Sequence, residues 1–94
     1  MAGKRWRIWR RNVESELLSN LDKLHTTVLG IERIKRNLSL TTDDVVAWCK
    51  LKTENANKIT QKGKNWYVYV ENIILIINAH SFTIITAHRE KTRA

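Results

Sequence analysis

The sequence predicts an α+β fold, in which two to three N-terminal helices pack on a four-stranded antiparallel sheet. Apolar residues recur every three to four positions over the first half of the chain, and the period changes to two from Lys58 onwards. Turn-forming residues around Gly63, Asn72 and Ser81 divide the second stretch into short segments. Helices followed by a run of hairpin-connected strands are typical of the α+β class.

The positive charge of the chain is high and unevenly distributed. The net charge is +8, and residues 1–11 hold five of the 17 Lys and Arg and no acid. We divide the 94 residues into a basic aromatic arm, residues 1–11, and a single α+β domain, residues 12–94. Such a charge favours nucleic acid as the partner, RNA before DNA, with anionic lipid second; the alternative is that it only aids solubility.

Cysteine usage and hydropathy favour a cytoplasmic location. The single Cys49 excludes an internal disulfide and fits a reducing compartment. The apolar stretch Ile73–Ile77 is far too short to span a bilayer. The N-terminus is basic but lacks the apolar core of a signal peptide.

Two helices are predicted before residue 40. The first should stop near His25. Thr26 or Thr27 should cap the second, Val28–Leu38, whose inward face carries Ile31, Ile34 and Leu38. The apolar face of the first helix consists of Val13, Leu17, Leu21 and Leu24.

A third helix is predicted from the segment that follows. Thr41 and Asp44 have the spacing of a capping box, with Asp in place of the usual Glu. The helix should run to about Lys52, and a loop should follow over Thr53–Asn57. Its buried residues should be Val45, Trp48 and Cys49.

Four strands are predicted in the last third of the chain. Lys58–Gln61 should form a short edge strand, and in the next strand Trp66, Val68 and Val70 should alternate with Tyr67 and Tyr69. Ile73–Asn78 should be a central strand, because it is apolar on both faces. In the last strand, Phe82–His88, we expect Phe82, Ile84, Thr86 and His88 to share one face.

The residue types present exclude several kinds of chemistry. One Cys and three widely separated His give no zinc-binding spacing, and we predict neither a metal nor a cofactor. Three scattered glycines cannot form a Gly-rich phosphate loop. No Gly-x-Ser-x-Gly nucleophile motif occurs.

Basic and polar residues at the ends of predicted elements are the remaining candidates. An imidazole and a set of cations would suffice for metal-free RNA cleavage, in which a ribose hydroxyl loses a proton and the phosphorane needs positive charge. Each candidate also has a structural alternative as a helix cap, solvated charge, turn residue or strand end. The catalytic candidates are His25, Arg33, Lys64 and His88. The nucleic-acid-binding candidates are Arg5, Arg7, Arg10, Arg11, Thr27, Lys62, Asn65, Tyr67 and Thr86.

Three segments of the sequence resemble a small bacterial domain family of unknown function. They are residues 21–38, 62–67 and 78–88, and the resemblance covers about Leu17–His88. It supplies no activity.

A looser resemblance links the chain to toxin ribonucleases. Helices followed by an antiparallel sheet, with a strand ending Thr-Ile-Ile-Thr-Ala-His, are similar to the barnase/colicin/RelE-like superfamily. This resemblance implies metal-independent RNA cleavage. The chain lacks a glutamate placed as the general base, so activity would rely on His or Lys. The positions it implies are His25 and Arg33 on the helices, Lys64 and Tyr67 on the first long strand, and Thr86 and His88 on the last.

Two functions therefore stand as hypotheses. The first is a toxin-like, metal-independent endoribonuclease or a derivative of that fold. The second is a non-enzymatic protein that binds nucleic acid, or that occupies a nucleic-acid site on a partner as phage-type inhibitors do. A protein partner would then be an antitoxin or a nucleoprotein target.

Overall fold

A computed structural model of the protein describes residues 16–90. Its helices are α1, Glu16–Leu18; α2, Val28–Leu38; and α3, Val45–Glu54, with a 3-10 turn at Leu21–Lys23. Its strands are β1, Lys58–Lys62; β2, Asn65–Val70; β3, Ile73–Asn78; and β4, Ile84–Arg89. They form one sheet in the order β1-β2-β3-β4, and every neighbouring pair is antiparallel. The predicted α+β fold is confirmed.

The first predicted helix is shorter than expected at its C-terminal end. The α-helix ends at Leu18, and a turn and the 3-10 segment carry the chain to Leu24. Leu17 and Leu24 are nevertheless buried, because the 3-10 turn returns the chain to the core. The part of this prediction before residue 16 lies outside the described residues.

The second helix has the predicted bounds and one of its two predicted caps. The Thr27 side chain accepts a hydrogen bond from the Gly30 N–H, at 3.0 Å. The helix ends at Leu38, and its C-cap Ser39 has a left-handed φ of 57° and donates its N–H to the Lys35 carbonyl. Ile34 and Leu38 are buried and Ile31 is half-buried.

The third helix begins three residues later than a Thr41 cap would place it. Asp44 is the N-cap, and its Oδ1 accepts from the Ala47 N–H at 3.0 Å. The capping-box prediction was therefore wrong in its register, because Asp44 acts as the cap and not as the box acid. Val45 and Cys49 are buried as predicted, whereas Trp48 is only half-buried under Lys52.

Tight turns join the first three strands in a fixed register. Gly63 takes a left-handed φ of 61° between β1 and β2, and Glu71 and Asn72 have φ values of 50° and 65° between β2 and β3. Two successive left-handed residues make a hairpin turn whose twist matches that of the strands. β3 is central, as predicted, and alternates buried with half-buried residues.

The face assignment of the last strand was wrong. A β-bulge lies opposite Ile76 and Ile77, where Ile77 pairs with Ile84 but Ile76 pairs with Thr86. The extra residue reverses the alternation, so Ile84 faces the core while Thr86 and His88 face the other side. Phe82 precedes the strand, with a left-handed φ of 60°.

The core lies between the helices and one face of the sheet. Ile34, Leu38, Val45 and Cys49 from the helices form one buried cluster with Trp66, Val68, Leu75, Ile77, Ile84 and Ala87 from the sheet. The Trp66 ring is fully buried and lies 5.2 Å from the Phe82 ring. Among residues 16–90, no helix is both long and apolar enough to cross a bilayer.

Candidate nucleic-acid interface

The sheet has a second face, which we call the open face. Residues that pair directly across neighbouring strands have their side chains on the same face of the sheet. The open face is therefore the one that carries half-buried Tyr67 and Tyr69 together with their partners on β1 and β3. Helices α2 and α3 bury the other face, and none of the open-face residues belongs to the buried core cluster. The open face consists of Lys58, Thr60, Lys62, Asn65, Tyr67, Tyr69, Ile74, Ile76, Asn78, Thr86 and His88.

Two lysine–tyrosine pairs lie on the open face. The Lys62 Nζ is 5.9 Å from the centre of the Tyr67 ring, and the Lys58 Nζ is 5.0 Å from that of Tyr69. Both distances are within the range of a cation–π interaction. β1 is an edge strand, so its lysines stand beside the tyrosines of the central strand β2. The open face thus presents aromatic rings and positive charge together.

The strands carry no negative charge. None of the four contains Asp or Glu. Glu71, in the turn after β2, forms an ion pair with Lys52 of α3. Residues 16–90 hold ten Lys and Arg against eight Asp and Glu, a net charge of only +2. The sheet is electropositive because the acids lie outside the strands, and not because this part of the chain has a large net charge.

Five of the sequence-predicted candidates lie on the open face, and two of them, Lys62 and Tyr67, form one of the lysine–tyrosine pairs. Asn65 lies next to Lys62 in register, at the start of β2. Thr86 pairs with Ile76 of β3, and its hydroxyl is 3.4 Å from the Asn37 side-chain nitrogen. His88 also lies on this face, in register with Ile74.

His25 lies at the far end of β4 from His88. Its N–H bonds the Phe82 carbonyl, and its own carbonyl accepts from the Ile84 N–H, so it sits where β4 begins. His88 is five residues beyond Thr83, the bridge partner of His25, which corresponds to about 16 Å of strand. The structure does not bring the two imidazoles to one phosphate.

Both nitrogens of the His25 ring are hydrogen-bonded. Nδ1 is 3.0 Å from the Lys23 carbonyl, which can only accept, so Nδ1 carries the proton. In the neutral ring Nε2 then accepts from the Thr83 hydroxyl, also at 3.0 Å. These bonds give His25 a structural role that joins the chain before α2 to β4.

Arg33 and Thr27 bind the protein's own backbone. The Arg33 guanidinium donates to the Ile85 carbonyl at 3.4 Å, next to the bulge. The Thr27 side chain occupies the Gly30 N–H, one of the groups that an anion at the start of α2 would use. Asn37 also donates to the Ala87 carbonyl, at 3.1 Å, so Asn37 and Arg33 together satisfy two carbonyls along the outer edge of β4.

Lys64 lies at the sheet end where His25 is found, and not within the open face. It is exposed in the turn between β1 and β2, and its carbonyl accepts from the Ala79 N–H at 2.7 Å. Arg5, Arg7, Arg10 and Arg11 lie outside the described residues. Within residues 16–90, no three His, Cys, Asp or Glu side chains are placed to hold a metal ion.

Sequence reasoning missed Lys58 and Tyr69, which form the second lysine–tyrosine pair. A signal for Tyr69 was present, since residues two apart in a strand share a face and Tyr67 had been selected. Lys58 could be found only from the β1–β2 register, which places it directly opposite Tyr69.

A family model described as a protein of unknown function, DUF3781, matches residues 18–88. The chain belongs to this family. The match starts in α1 and ends in β4, so the shared domain includes both long helices and the whole open face. No curated protein and no solved structure matched the chain.

Proposed function

We propose that this protein of the DUF3781 family binds RNA on the open face of its sheet and does not cleave it. The observation that carries the proposal is the pair of lysine–tyrosine contacts on an acid-free sheet. RNA is the expected ligand because its unpaired bases are commonly recognised by stacking on aromatic side chains. The proposed location is the cytoplasm, where the lone Cys49 stays reduced.

The chemistry of each pair suits a nucleotide. An exposed lysine neutralises a phosphate and releases its counterions, which makes binding strongly salt-dependent. A tyrosine ring offers a stacking surface worth about 1–3 kcal/mol per base. Lys58 and Lys62 are exposed and belong to no ion pair within the described residues, so they can exchange a tyrosine contact for a phosphate.

Binding is favoured over catalysis because the proposed acid–base groups are separated. His25 uses both ring nitrogens in contacts within the chain, and His88 lies at the opposite end of β4. His25 and His88 are therefore too far apart to act as general acid and general base on the same phosphodiester. This arrangement supports a surface that holds RNA.

The test is the affinity for a labelled single-stranded RNA, measured by fluorescence anisotropy. Lys62→Glu should weaken binding strongly, because it places a negative charge beside Tyr67 on the proposed site. Lys50→Glu, on α3, changes the net charge equally but lies off the open face and serves as the matched control. Equal losses in the two variants would show that binding depends on net charge and not on the open face.

A toxin-like, metal-independent endoribonuclease is the second candidate. It is favoured by one observation: His25 and Lys64 both bind the backbone of the loop between β3 and β4, through Phe82 and Ala79. The assay is RNA cleavage in EDTA, with His25→Ala and His88→Ala in parallel. Cleavage that disappears in His25→Ala but not in His88→Ala would replace the binding proposal with a site at this end of the sheet.

A further inference from the structure

The two lysine–tyrosine pairs repeat one chemical unit. Each unit contains a single ring and a single ammonium group, with centroid-to-Nζ distances of 5.9 Å for Tyr67 and Lys62 and 5.0 Å for Tyr69 and Lys58. A nucleotide likewise contains one flat base and one phosphate. Two lysine–tyrosine pairs can therefore hold two nucleotides, each with its base on a tyrosine ring and its phosphate on a lysine.

The spacing of the units distinguishes stacked from unstacked bases. Tyr67 and Tyr69 are two positions apart on one strand, which separates their Cα atoms by about 7 Å. Bases in one strand of a duplex follow each other at about 3.4 Å along the axis. Bases that remain stacked cannot each lie on one of these rings, whereas an extended single strand can place them so.

The neighbours of the tyrosines also repeat. On β3, Ile76 is directly opposite Tyr67 and Ile74 is directly opposite Tyr69, and both isoleucines are half-buried. On the β1 side Lys58 is directly opposite Tyr69, whereas Thr60 is opposite Tyr67 and Lys62 reaches that ring diagonally from its place opposite Asn65. A base can cover a ring and its isoleucine while its phosphate turns towards β1.

We infer that the open face selects single-stranded nucleic acid and holds two consecutive unstacked nucleotides, one on each lysine–tyrosine pair. The inference rests on the proposed function and adds the strandedness and the size of the site. It assigns Lys58 and Tyr69 to the site as the partners of Lys62 and Tyr67.

The test uses the fact that the chain contains only two tyrosines. Full-length protein made with 3-fluorotyrosine gives one fluorine resonance for each, and Tyr67→Phe and Tyr69→Phe assign them. An oligouridylate should shift both resonances together. An RNA duplex of the same length at the same concentration should leave both nearly unchanged.

Two further variants measure the contribution of each ring. Tyr67→Ala and Tyr69→Ala should each weaken single-strand binding by about 5- to 150-fold, as expected for the loss of one stacked base. The matching Phe variants keep the ring and should bind like the wild-type protein.

The outcomes separate this inference from the proposed function. If RNA binds by anisotropy but shifts one resonance or neither, or if the duplex shifts both, the two-nucleotide single-strand site is wrong while RNA binding stands. If Phe and Ala variants weaken binding equally, stacking is not the contact. If no RNA binds, the proposed function fails as well.

Discussion

At the scale of single residues, the contact between α2 and β4 depends on Gly30, which has no side chain. A Cβ at Gly30 would lie 2.1 Å from the Thr26 hydroxyl oxygen, which donates a 2.7 Å hydrogen bond to the Ile84 carbonyl. In the sequence, Gly30 is only the third residue of the predicted helix Val28–Leu38. Its role follows from a contact with a strand more than 50 positions away, which spacing along the chain does not reveal.

Gly30→Ala should lower the free energy of unfolding by about 1–3 kcal/mol, because the methyl group displaces Thr26 and leaves a carbonyl without its partner. Thermal or urea unfolding measures the change. Thr26→Ala removes the clashing hydroxyl, so Gly30→Ala should cost less in that background. Additive losses in the double variant would show that the two residues do not compete for this space.

Burial also determines the chemistry of Cys49. Desolvation raises the pKa of the Cys49 thiol from its ordinary value of 9.0 to about 12. The folded state therefore keeps the thiol proton at pH values where the unfolded chain has lost it.

The unfolding free energy that Cys49 contributes should fall as the pH rises from 9 towards 12, by up to about 1.4 kcal/mol per pH unit. It should be constant below pH 8, where both states are protonated. The measurement is the difference between the wild-type protein and Cys49→Ala in urea unfolding at several pH values. A difference that stays constant up to pH 11 would contradict the raised pKa.

At the scale of elements, periodicity predicted the bounds of α2 and β3, because each has a regular pattern and clear end signals. It placed the cap of α3 incorrectly, since Thr41 and Asp44 both have capping side chains and the choice depends on the tertiary position of the helix. It could not predict the bulge in β4, because a single extra residue leaves no mark in an apolar run. That bulge decides which side of the sheet receives Thr86 and His88.

The corrected cap can be tested directly. Asp44→Ala should lower the free energy of unfolding by about 1 kcal/mol, because the Ala47 N–H loses its acceptor. Thr41→Ala should change it by only a few tenths of that amount, since Thr41 is exposed and outside the helix. If urea unfolding showed Thr41→Ala to be the more destabilising variant, Thr41 would be the cap, as the sequence predicted.

At the scale of the whole molecule, the helices decide which sheet face is open. Alternation along β2 separates Trp66, Val68 and Val70 from Tyr67 and Tyr69, and this much was visible in the sequence. That two lysines lie beside these two tyrosines could be known only from the register of β1 against β2. His25 and His88 lie at opposite ends of the β4 region, and only the folded chain reveals this separation.

The open face should also determine the salt dependence of RNA binding. Each phosphate contact to a single strand contributes about −0.7 to the slope of log affinity against log salt concentration. Lys58→Ala and Lys62→Ala should each make the slope less steep by about that amount, whereas Lys50→Ala should leave it unchanged. Unchanged slopes in the first two variants would mean that neither lysine contacts a phosphate.

The central claim, that RNA lies on the open face, is tested most directly by photocrosslinking of the full-length protein to an oligouridylate that contains 4-thiouridine. Mass spectrometry then locates the modified residues along the whole chain. We expect crosslinks at Tyr67 and Tyr69 of β2, and their loss when both are replaced by alanine. Crosslinks confined to residues 1–11, or to the sheet end formed by His25 and Lys64, would contradict the claim.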